Sequence, residues 1–169
     1  MPEKPRPHRQ PQSARPANQR GAARLGAVQA LYQMDVGGAA LPAVLAEFEA
    51  HRLGIELEGE QLRPADKPFF RALVTGVVKA QRRIDPIVHA ALPPTWPLVR
   101  IDLTLRAVLR CGVFELTERH DVPARVVISE YVDIANAFFS GDEPGLVNGV
   151  LDRVAHDHRP EEFSQAASG

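Results

Sequence analysis

The sequence predicts an all-α fold, a bundle of six or seven helices preceded by a disordered amino-terminal tail. Apolar residues recur at spacings of three and four from about residue 20 onwards, which is the period of helices with one buried face. The best strand candidate, residues 126–128, lies inside a longer stretch of helical spacing, and no segment shows sustained strand-like alternation. Five prolines within residues 1–19 exclude a helix there and favour an extended segment that cannot bury itself.

Three helices are predicted in the first half of the body. Each has an apolar stripe of helical spacing, and they cover residues 20–38, 41–54 and 64–83. Gly37 and Gly38 are expected to end the first helix, because glycine is common just past a helix terminus. The third has a short extension through Ile87 and Val88, and the sequence LPPTWP at 92–97 then breaks the chain between two halves.

The second half is more regular and predicts three further helices. Their stripes cover residues 100–119, 122–139 and 140–158. Pro123 suits a first helical turn. The last helix is opened by three start signals, Ser140, Asp142 and Pro144. Gly145 and Gly149 are four residues apart and are expected to let a neighbouring helix approach closely. The predicted organisation is a flexible tail at 1–19, one helical domain at 20–160 and a carboxy-terminal tail at 161–169.

The net charge of −1 hides an uneven distribution of charge along the chain. Residues 1–24 carry a formal charge of +5, whereas the remaining residues carry −6. A basic arm on an acidic body suggests contact with a nucleic acid or an acidic membrane surface. A tail that only keeps the chain soluble is the alternative.

The sequence offers no grouping of residues that would support catalysis, a metal or a cofactor. Cys111 lies on an apolar helix and is interpreted as a buried, inert thiol, and a single cysteine cannot form an internal disulfide. None of the six histidines forms a helical pair, and no glycine pattern matches a phosphate-binding loop. No apolar run approaches the roughly 20 residues of a membrane span, and the start lacks a secretory signal. We therefore expect a non-enzymatic, cytoplasmic protein.

The junction between the tail and the first helix is the best candidate for a binding site. Arg20 and Arg24 are four residues apart, so they are expected on one side of the helix near its positive amino-terminal end. Arg15 on the arm adds positive charge, and Gln29 and Tyr32 supply an amide and a flat ring. Single-stranded RNA is bound by such combinations of cations, amides and aromatic rings. Tyr32 alone is weaker support, because a tyrosine at helical spacing is more typical of core packing.

Three blocks of the sequence are similar to the NusB family of bacterial transcription antitermination proteins. The blocks read AARLGAVQALYQMD, LRAVLRCGVFEL and VVISEYVDIANAF…VNGVLDRVA, and the similarity runs from about Arg20 to Arg159. The resemblance implies an all-helical fold of two helical subdomains. It also implies binding to the boxA element of nascent ribosomal RNA leaders together with NusE, the tenth small-subunit ribosomal protein. That complex joins RNA polymerase with other Nus factors and suppresses early termination.

The resemblance also implies which positions contact RNA. The family's arginine-rich motif falls on residues 20–24, which read RGAAR, so its positive charge is thinner here and the tail arginines are expected to compensate. Tyr32 matches a tyrosine near the RNA, and Gln29 lies one turn before it. Asp142 matches an acidic position near the RNA and the partner, and Leu146 stands where some relatives carry a phenylalanine that approaches RNA. The surface for NusE is expected on the helices of the second half.

Two other functions stay open at this stage. One is a helical adaptor that binds only proteins, with the basic tail incidental. The other is a NusB-like domain related to RNA cytosine methyltransferases, which the end of the chain at Gly169 disfavours because it leaves no room for a cofactor-binding domain. Some members of the family self-associate, so a homodimer is open as well.

Overall fold

The computed structural model describes residues 19–53 and 65–164, apart from the side chain of residue 98. Within these ranges the chain forms seven α-helices and one 3₁₀ turn, Leu98–Arg100, and no strand. The helices are α1 (Gln19–Gly37), α2 (Leu41–His51), α3 (Lys67–Ala91), α4 (Leu103–Glu118), α5 (Ala124–Phe138), α6 (Glu143–His158) and α7 (Pro160–Ser164). The all-α prediction is confirmed, and residues 126–128 lie in α5. Residues 1–18 of the predicted tail and residues 54–64, between α2 and α3, lie outside the described residues.

Helix α1 begins and ends close to the predicted positions. Gly38 follows its last residue with a φ of 66°, a left-handed conformation that favours glycine, and its amide donates to the carbonyl of Met34 at 2.9 Å. At the other end, the backbone amide of Asp66 donates to the carbonyl of Gln19 at 2.9 Å. Asp66 is also the N-cap of α3, where its side chain accepts from the amide of Phe69 at 3.0 Å. The starts of α1 and α3 therefore lie next to each other.

Helix α3 is longer than its apolar stripe predicted. It continues through Pro86 to Ala91 without a break, although a proline inside a helix removes one backbone hydrogen bond. Ile84 and Val88 on either side of the proline are fully buried. Their packing holds the last two turns in the helix.

Helix α4 joins the two halves of the bundle. It packs against α1 and α3 of the first half and against α5 and α6 of the second. Ten of its sixteen residues are buried, including the charged Arg110 and Glu115. Because polar groups inside α4 need partners, the helix fixes side chains from both halves. Arg110 pairs with Asp85 of α3 at 2.8 Å and with Asp35 of α1 at 3.2 Å.

The expected close approach at Gly145 and Gly149 is wrong. A Cβ at either position would meet no atom within 4 Å. The close approach occurs instead at Gly112 of α4, where a Cβ would lie 2.7 Å from the side chain of Leu151 on α6. The stretch after α6 also differs in part from the expected tail, because α7 occupies Pro160–Ser164 and the carboxylate of Glu162 accepts from the amide of Ala124 at 2.9 Å.

Candidate nucleic-acid interface

Arg24 is not placed on the surface, contrary to the expectation that it shares an exposed side of α1 with Arg20. Its relative exposure is 1%, and its Nε and Nη2 atoms each donate to a carboxylate oxygen of Glu115 at 2.9 Å. Four residues of helix turn the chain by about 40° beyond a full turn, which is enough to carry a side chain from the edge to the buried face. The guanidinium of Arg24 is therefore not available to a phosphate in this structure.

Glu115 and Tyr131 complete the buried site of Arg24. Both are 0% exposed, and the Tyr131 hydroxyl donates to the same Glu115 oxygen that accepts from Arg24 Nε. Burial would lower the pKa of Arg24, but the hydrogen bonds and charge of Glu115 outweigh it and raise that pKa. Burial raises the pKa of Tyr131 well above its usual value, so the phenol stays neutral and donates. The triad fastens α1 to α4 and α5.

Arg20 lies in an arginine cluster at the start of α1. We use this name for Arg20, Arg119, Phe69, Asp66 and Asp121. The guanidinium carbons of Arg20 and Arg119 lie 4.7 and 5.1 Å from the centroid of the buried Phe69 ring, within cation–π distance. Asp66 holds Phe69 in place through the cap of α3 and lies 3.9 Å from Arg20.

Asp121 lies between the two arginines of the cluster. Arg119 donates from Nε and Nη2 to the two oxygens of Asp121 at 3.1 and 3.2 Å. Arg20 Nη1 lies 3.6 Å from one of the same oxygens. The hydrogen bonds from Arg119 lower the pKa of Asp121, so the carboxylate remains ionised near neutral pH.

The arginine cluster therefore differs from the positive surface that the sequence predicted at this junction. Two carboxylates, Asp66 and Asp121, offset the two half-buried guanidinium groups of Arg20 and Arg119. The remaining arginine near Phe69, Arg24, is already paired inside the core. Positive charge is concentrated but locally compensated, so an incoming phosphate has to compete with carboxylates.

Arg159 holds the loop between α4 and α5, which carries Arg119 and Asp121. This side chain is fully buried at the end of α6. Its guanidinium donates to the carbonyl oxygens of Glu115 at 2.8 Å, Leu116 at 2.9 Å and Arg119 at 2.7 Å, and also to that of Val122. The last carbonyls of a helix have no partner within it, so Arg159 both caps α4 and fixes the backbone of the loop.

Gln29 and Tyr32 lie apart from the arginine cluster, in a groove of about 350 Å³. We call it the α1–α5 groove; Gln29, Tyr32 and Val36 of α1, Arg52 after α2 and Phe138 at the end of α5 are among its lining residues. Tyr32 is 42% exposed, so the alternative that its ring packs in the core is wrong. Arg52 adds positive charge and pairs with Glu47 at 3.3 Å.

The groove and the cluster are separated along α1. Gln29 and Tyr32 follow Arg20 by nine and twelve positions, or about 14 and 18 Å along the helix axis. Gln29 also projects from roughly the opposite side of the helix, since nine residues rotate it by about 900°. The structure thus divides the predicted RNA-binding residues between two places.

Asp142 and Leu146 lie near the beginning of α6. Asp142 is exposed and is the last residue before the helix, while Leu146 is half-buried against the core. The loop that carries Asp142 starts directly after Phe138, one of the groove residues. These two positions therefore follow the groove in the chain. Arg15 lies outside the described residues.

Residues 21–156 match the model of the NusB family. A transcription antitermination protein NusB from Rhodopseudomonas palustris (strain BisB18) is 59% identical over 155 residues, which is 92% of this chain and 92% of that protein. The chain belongs to the NusB family. The resemblance carried by the three sequence blocks is confirmed, and the match covers α1 to nearly the end of α6.

Two solved structures resemble the fold. NusB of T. maritima superposes with a TM-score of 0.69 at 28% identity, over 85% of this chain and 96% of that one. A structure of antitermination factors NusB and NusE in complex with dsRNA gives a TM-score of 0.67 at 25% identity, over 82% of this chain and 97% of the matched chain. The arrangement of helices is therefore that of other NusB proteins.

Several residues of the two candidate sites were not predicted from the sequence. Arg119, Asp121 and Phe69 join Arg20 from distant parts of the chain, and Phe138 joins Tyr32 in the groove. The one available signal was RHD at 119–121, a charged triplet directly after an apolar helix, which by itself reads as a solvated helix end.

The described residues outside these two sites include one cysteine and no candidate metal site. Cys111 is buried as expected, and burial raises the pKa of its thiol well above the usual value, so it stays protonated. Residues 19–53 and 65–164 contain no group of three or more histidine, cysteine or acidic side chains placed to hold a metal ion. None of the helices in these ranges is long and apolar enough to cross a membrane.

Proposed function

We propose that the protein binds boxA-type single-stranded RNA of nascent ribosomal RNA leaders together with ribosomal protein NusE and thereby suppresses premature termination. The observation that carries this proposal is the family match over residues 21–156. It is supported by the solved complex of NusB, NusE and RNA, whose NusB-like fold this chain shares. Through the RNA and NusE, the protein associates indirectly with RNA polymerase and other Nus factors. It acts in the cytoplasm, without catalysis and without a cofactor.

The two sites have complementary chemistry for a single strand of RNA. Arg20 and Arg119 present guanidinium groups, which bind phosphate oxygens in pairs. The α1–α5 groove presents the rings of Tyr32 and Phe138, on which unpaired bases stack, and the amide of Gln29, which bonds to base edges. Phosphates at the start of α1 and bases at its end would place the strand along this helix. Asp142 and Leu146 extend the proposed surface beyond Phe138.

A titration of labelled boxA RNA with and without NusE tests the proposal directly. We expect weak binding by the protein alone and tighter binding in the presence of NusE, because carboxylates compensate the cations of the arginine cluster. A boxA duplex serves as the comparison, and we expect it to bind less tightly because paired bases cannot enter the groove. Equal affinities with and without NusE would contradict the partnership.

Single substitutions separate the contribution of the groove to RNA affinity from the contribution of the overall charge. Tyr32→Ala is expected to lower affinity about ten-fold, since stacking of a base on a ring is worth about 1–3 kcal/mol. Tyr32→Phe keeps the ring and is expected to retain most of the affinity. Arg82→Ala, at an exposed arginine of α3, is the control for loss of one positive charge elsewhere. Equal effects of Tyr32→Ala and Tyr32→Phe would remove stacking from the proposal.

A protein-binding adaptor is the second candidate, and the apolar character of the groove favours it. Val36 and Phe138 are large apolar side chains that remain exposed there, as expected where a protein partner docks. Under this alternative, Val36→Asp lowers affinity for NusE but not affinity of the isolated protein for RNA. Under the RNA proposal for the groove, the same substitution lowers both.

A further inference from the structure

We infer that Asp121 occupies the position of an RNA phosphate in the free protein and leaves it when RNA binds, so that Arg119 joins Arg20 as a phosphate ligand. The inference rests on the proposed function, because it names how RNA enters the arginine cluster. It assigns Arg119 a binding role and Asp121 a regulatory one. Asp121 then sets the affinity of the site by competing with RNA for the same two guanidinium groups.

The geometry around Asp121 is that of an anion-binding site with its ligand in place. Arg119 forms two parallel hydrogen bonds to the two carboxylate oxygens, at 3.1 and 3.2 Å. Arg20 approaches one of these oxygens to 3.6 Å from a different helix. A phosphodiester also presents two charged oxygens with one negative charge, and arginine binds it with the same forked geometry. A phosphate in place of the carboxylate would keep both guanidinium groups satisfied.

The arginines are held in place independently of Asp121. Both guanidinium groups lie within about 5 Å of the Phe69 ring centroid, so the ring supports them when the carboxylate leaves. The backbone of Arg119 is fixed as well, because its carbonyl accepts from the buried Arg159 at 2.7 Å. The arginines are thus arranged before a phosphate arrives, which lowers the entropic cost of binding.

Asp121, in contrast, is free to move. Its side chain is 54% exposed, and it lies in the loop between α4 and α5 rather than in a helix. An exposed ion pair contributes only about 0–1 kcal/mol, so rotating the carboxylate into water costs little. The buried pair of Arg24 and Glu115 cannot exchange in this way, because both partners are shielded from solvent.

Asp121→Asn tests the competition in the full-length protein. We expect labelled boxA RNA, with NusE present, to bind about three- to five-fold more tightly at low salt, which is the range for loss of one exposed competing charge. Asp133→Asn, at an exposed aspartate in the middle of α5, makes the same change in net charge away from the cluster and is expected to alter affinity less than about two-fold. Equal gains from the two variants would overturn the inference, since only total charge would then matter.

A double-mutant cycle with Arg119→Ala tests whether both side chains act at one place. Arg119→Ala is expected to weaken binding about five-fold and to reduce the salt slope by about 0.7, the value for one phosphate contact on a single strand. In that background the gain from Asp121→Asn should shrink to less than about two-fold, because one of the contested guanidinium groups is missing. Independent effects of the two substitutions would contradict competition.

A measurement on the unmodified protein removes any dependence on how the variants fold. Carboxyl ¹³C NMR follows the titration of Asp121 with and without RNA. We expect the pKa of Asp121 to be low in the free protein and to rise on RNA binding, because Arg119 leaves it and phosphate charge arrives. An unchanged pKa in the presence of bound RNA would overturn the inference and leave the proposed function intact. Absence of RNA binding by the wild-type protein with NusE would overturn both.

Discussion

Arg20 and Arg24 are one helical turn apart on α1, yet they have opposite environments. Arg24 is enclosed, with both of its hydrogen-bonding nitrogens committed to Glu115. Arg20 has a side chain that is 41% exposed and meets Asp66 and Asp121 only at 3.9 and 3.6 Å. Both contact the same ring, that of Phe69. The rotation of about 40° between their positions places Arg24 on the buried face and Arg20 at its edge, and their carboxylate partners differ accordingly.

The two arginines of this segment have two different physical roles. A buried ion pair is costly to form and very costly to break, so Arg24 fixes the position of α1 against the core. An exposed pair is weak and exchangeable, so Arg20 can give up its carboxylate for another anion. Arg24 thus acts as a positioning residue for the surface that Arg20 presents.

The largest expected effect comes from Glu115→Gln. The change leaves Arg24 charged and buried without its ionic partner, and we expect the free energy of unfolding to fall by about 3–5 kcal/mol. Urea denaturation followed by circular dichroism measures it. Glu118→Gln, one turn later on the same helix, breaks the exposed pair with Arg83 and is the matched control, with an expected loss below about 1 kcal/mol. Similar losses for the two variants would erase the distinction between buried and exposed arginines.

Tyr131→Phe tests how much the tyrosine hydroxyl stabilises the buried triad of Arg24, Glu115 and Tyr131. It removes the hydroxyl that donates to Glu115 but preserves the ring, so we expect a loss of about 1.5–3 kcal/mol, the range for a hydrogen bond to a charged group. The same denaturation experiment measures this loss. Because the hydroxyl and Arg24 share one carboxylate oxygen, the effect should be smaller when Glu115 is already glutamine. Additive losses would mean that the Tyr131 hydroxyl contributes to stability independently of the Glu115 carboxylate.

Arg20→Ala should separate stability from RNA affinity. We expect the free energy of unfolding to change by less than about 0.5 kcal/mol, because its ion pairs are exposed. Affinity for boxA RNA should fall several-fold at low salt and much less at high salt, with a salt slope reduced by about 0.7. Fluorescence titrations at two salt concentrations give both values, with Arg82→Ala as the control. A loss of stability comparable to that of Glu115→Gln would mean that Arg20 is structural too.

The smallest expected effect is the fall in the free energy of unfolding when Asp121 is protonated in acid. Hydrogen bonds from Arg119 lower the pKa of this carboxyl in the folded protein, so its ionised form stabilises the fold above about pH 4. The contribution is lost as pH falls through the lowered folded pKa and is below about 1 kcal/mol for an exposed pair. Denaturation of the wild type and Asp121→Asn between pH 6 and pH 3 should show their difference narrowing in acid. If the difference in the free energy of unfolding between the two proteins stayed constant with pH, the charge of Asp121 would not stabilise the fold.

The helices could be predicted from the sequence because their cause is local. Spacing of apolar residues marked the stripe of each long helix, and Gly37 and Gly38 marked the end of α1. The short extension of α3 past Pro86 through Ile87 and Val88 was predicted as well, but the helix continues to Ala91. Local patterns therefore predicted where helices lie better than where they stop.

The candidate site was predicted only in part, because the contacts that form it join residues far apart in the chain. The sequence placed Arg20, Gln29 and Tyr32 on one helix. In the structure the side chain of Arg20 is partly exposed, and Gln29 and Tyr32 line the α1–α5 groove, as expected for surface residues. It could not tell Arg24 from Arg20, since the deciding partner, Glu115, is 91 residues away. The carboxylates that compensate Arg20 are likewise remote in the chain, so the sequence near residue 20 did not show that this charge is compensated.

The late position of Arg159 in the chain determines when its contacts can form during synthesis. Ribosomes synthesise the chain from its amino terminus, and helices α1 to α4 can begin to pack while the remainder is still being translated. The carbonyls of Glu115 and Arg119 accept from the amides of Arg119 and Val122, and they gain their second donor only when residue 159 has been added. The loop that carries Arg119 and Asp121 therefore gains the support of the buried Arg159 only after α6 has been synthesised.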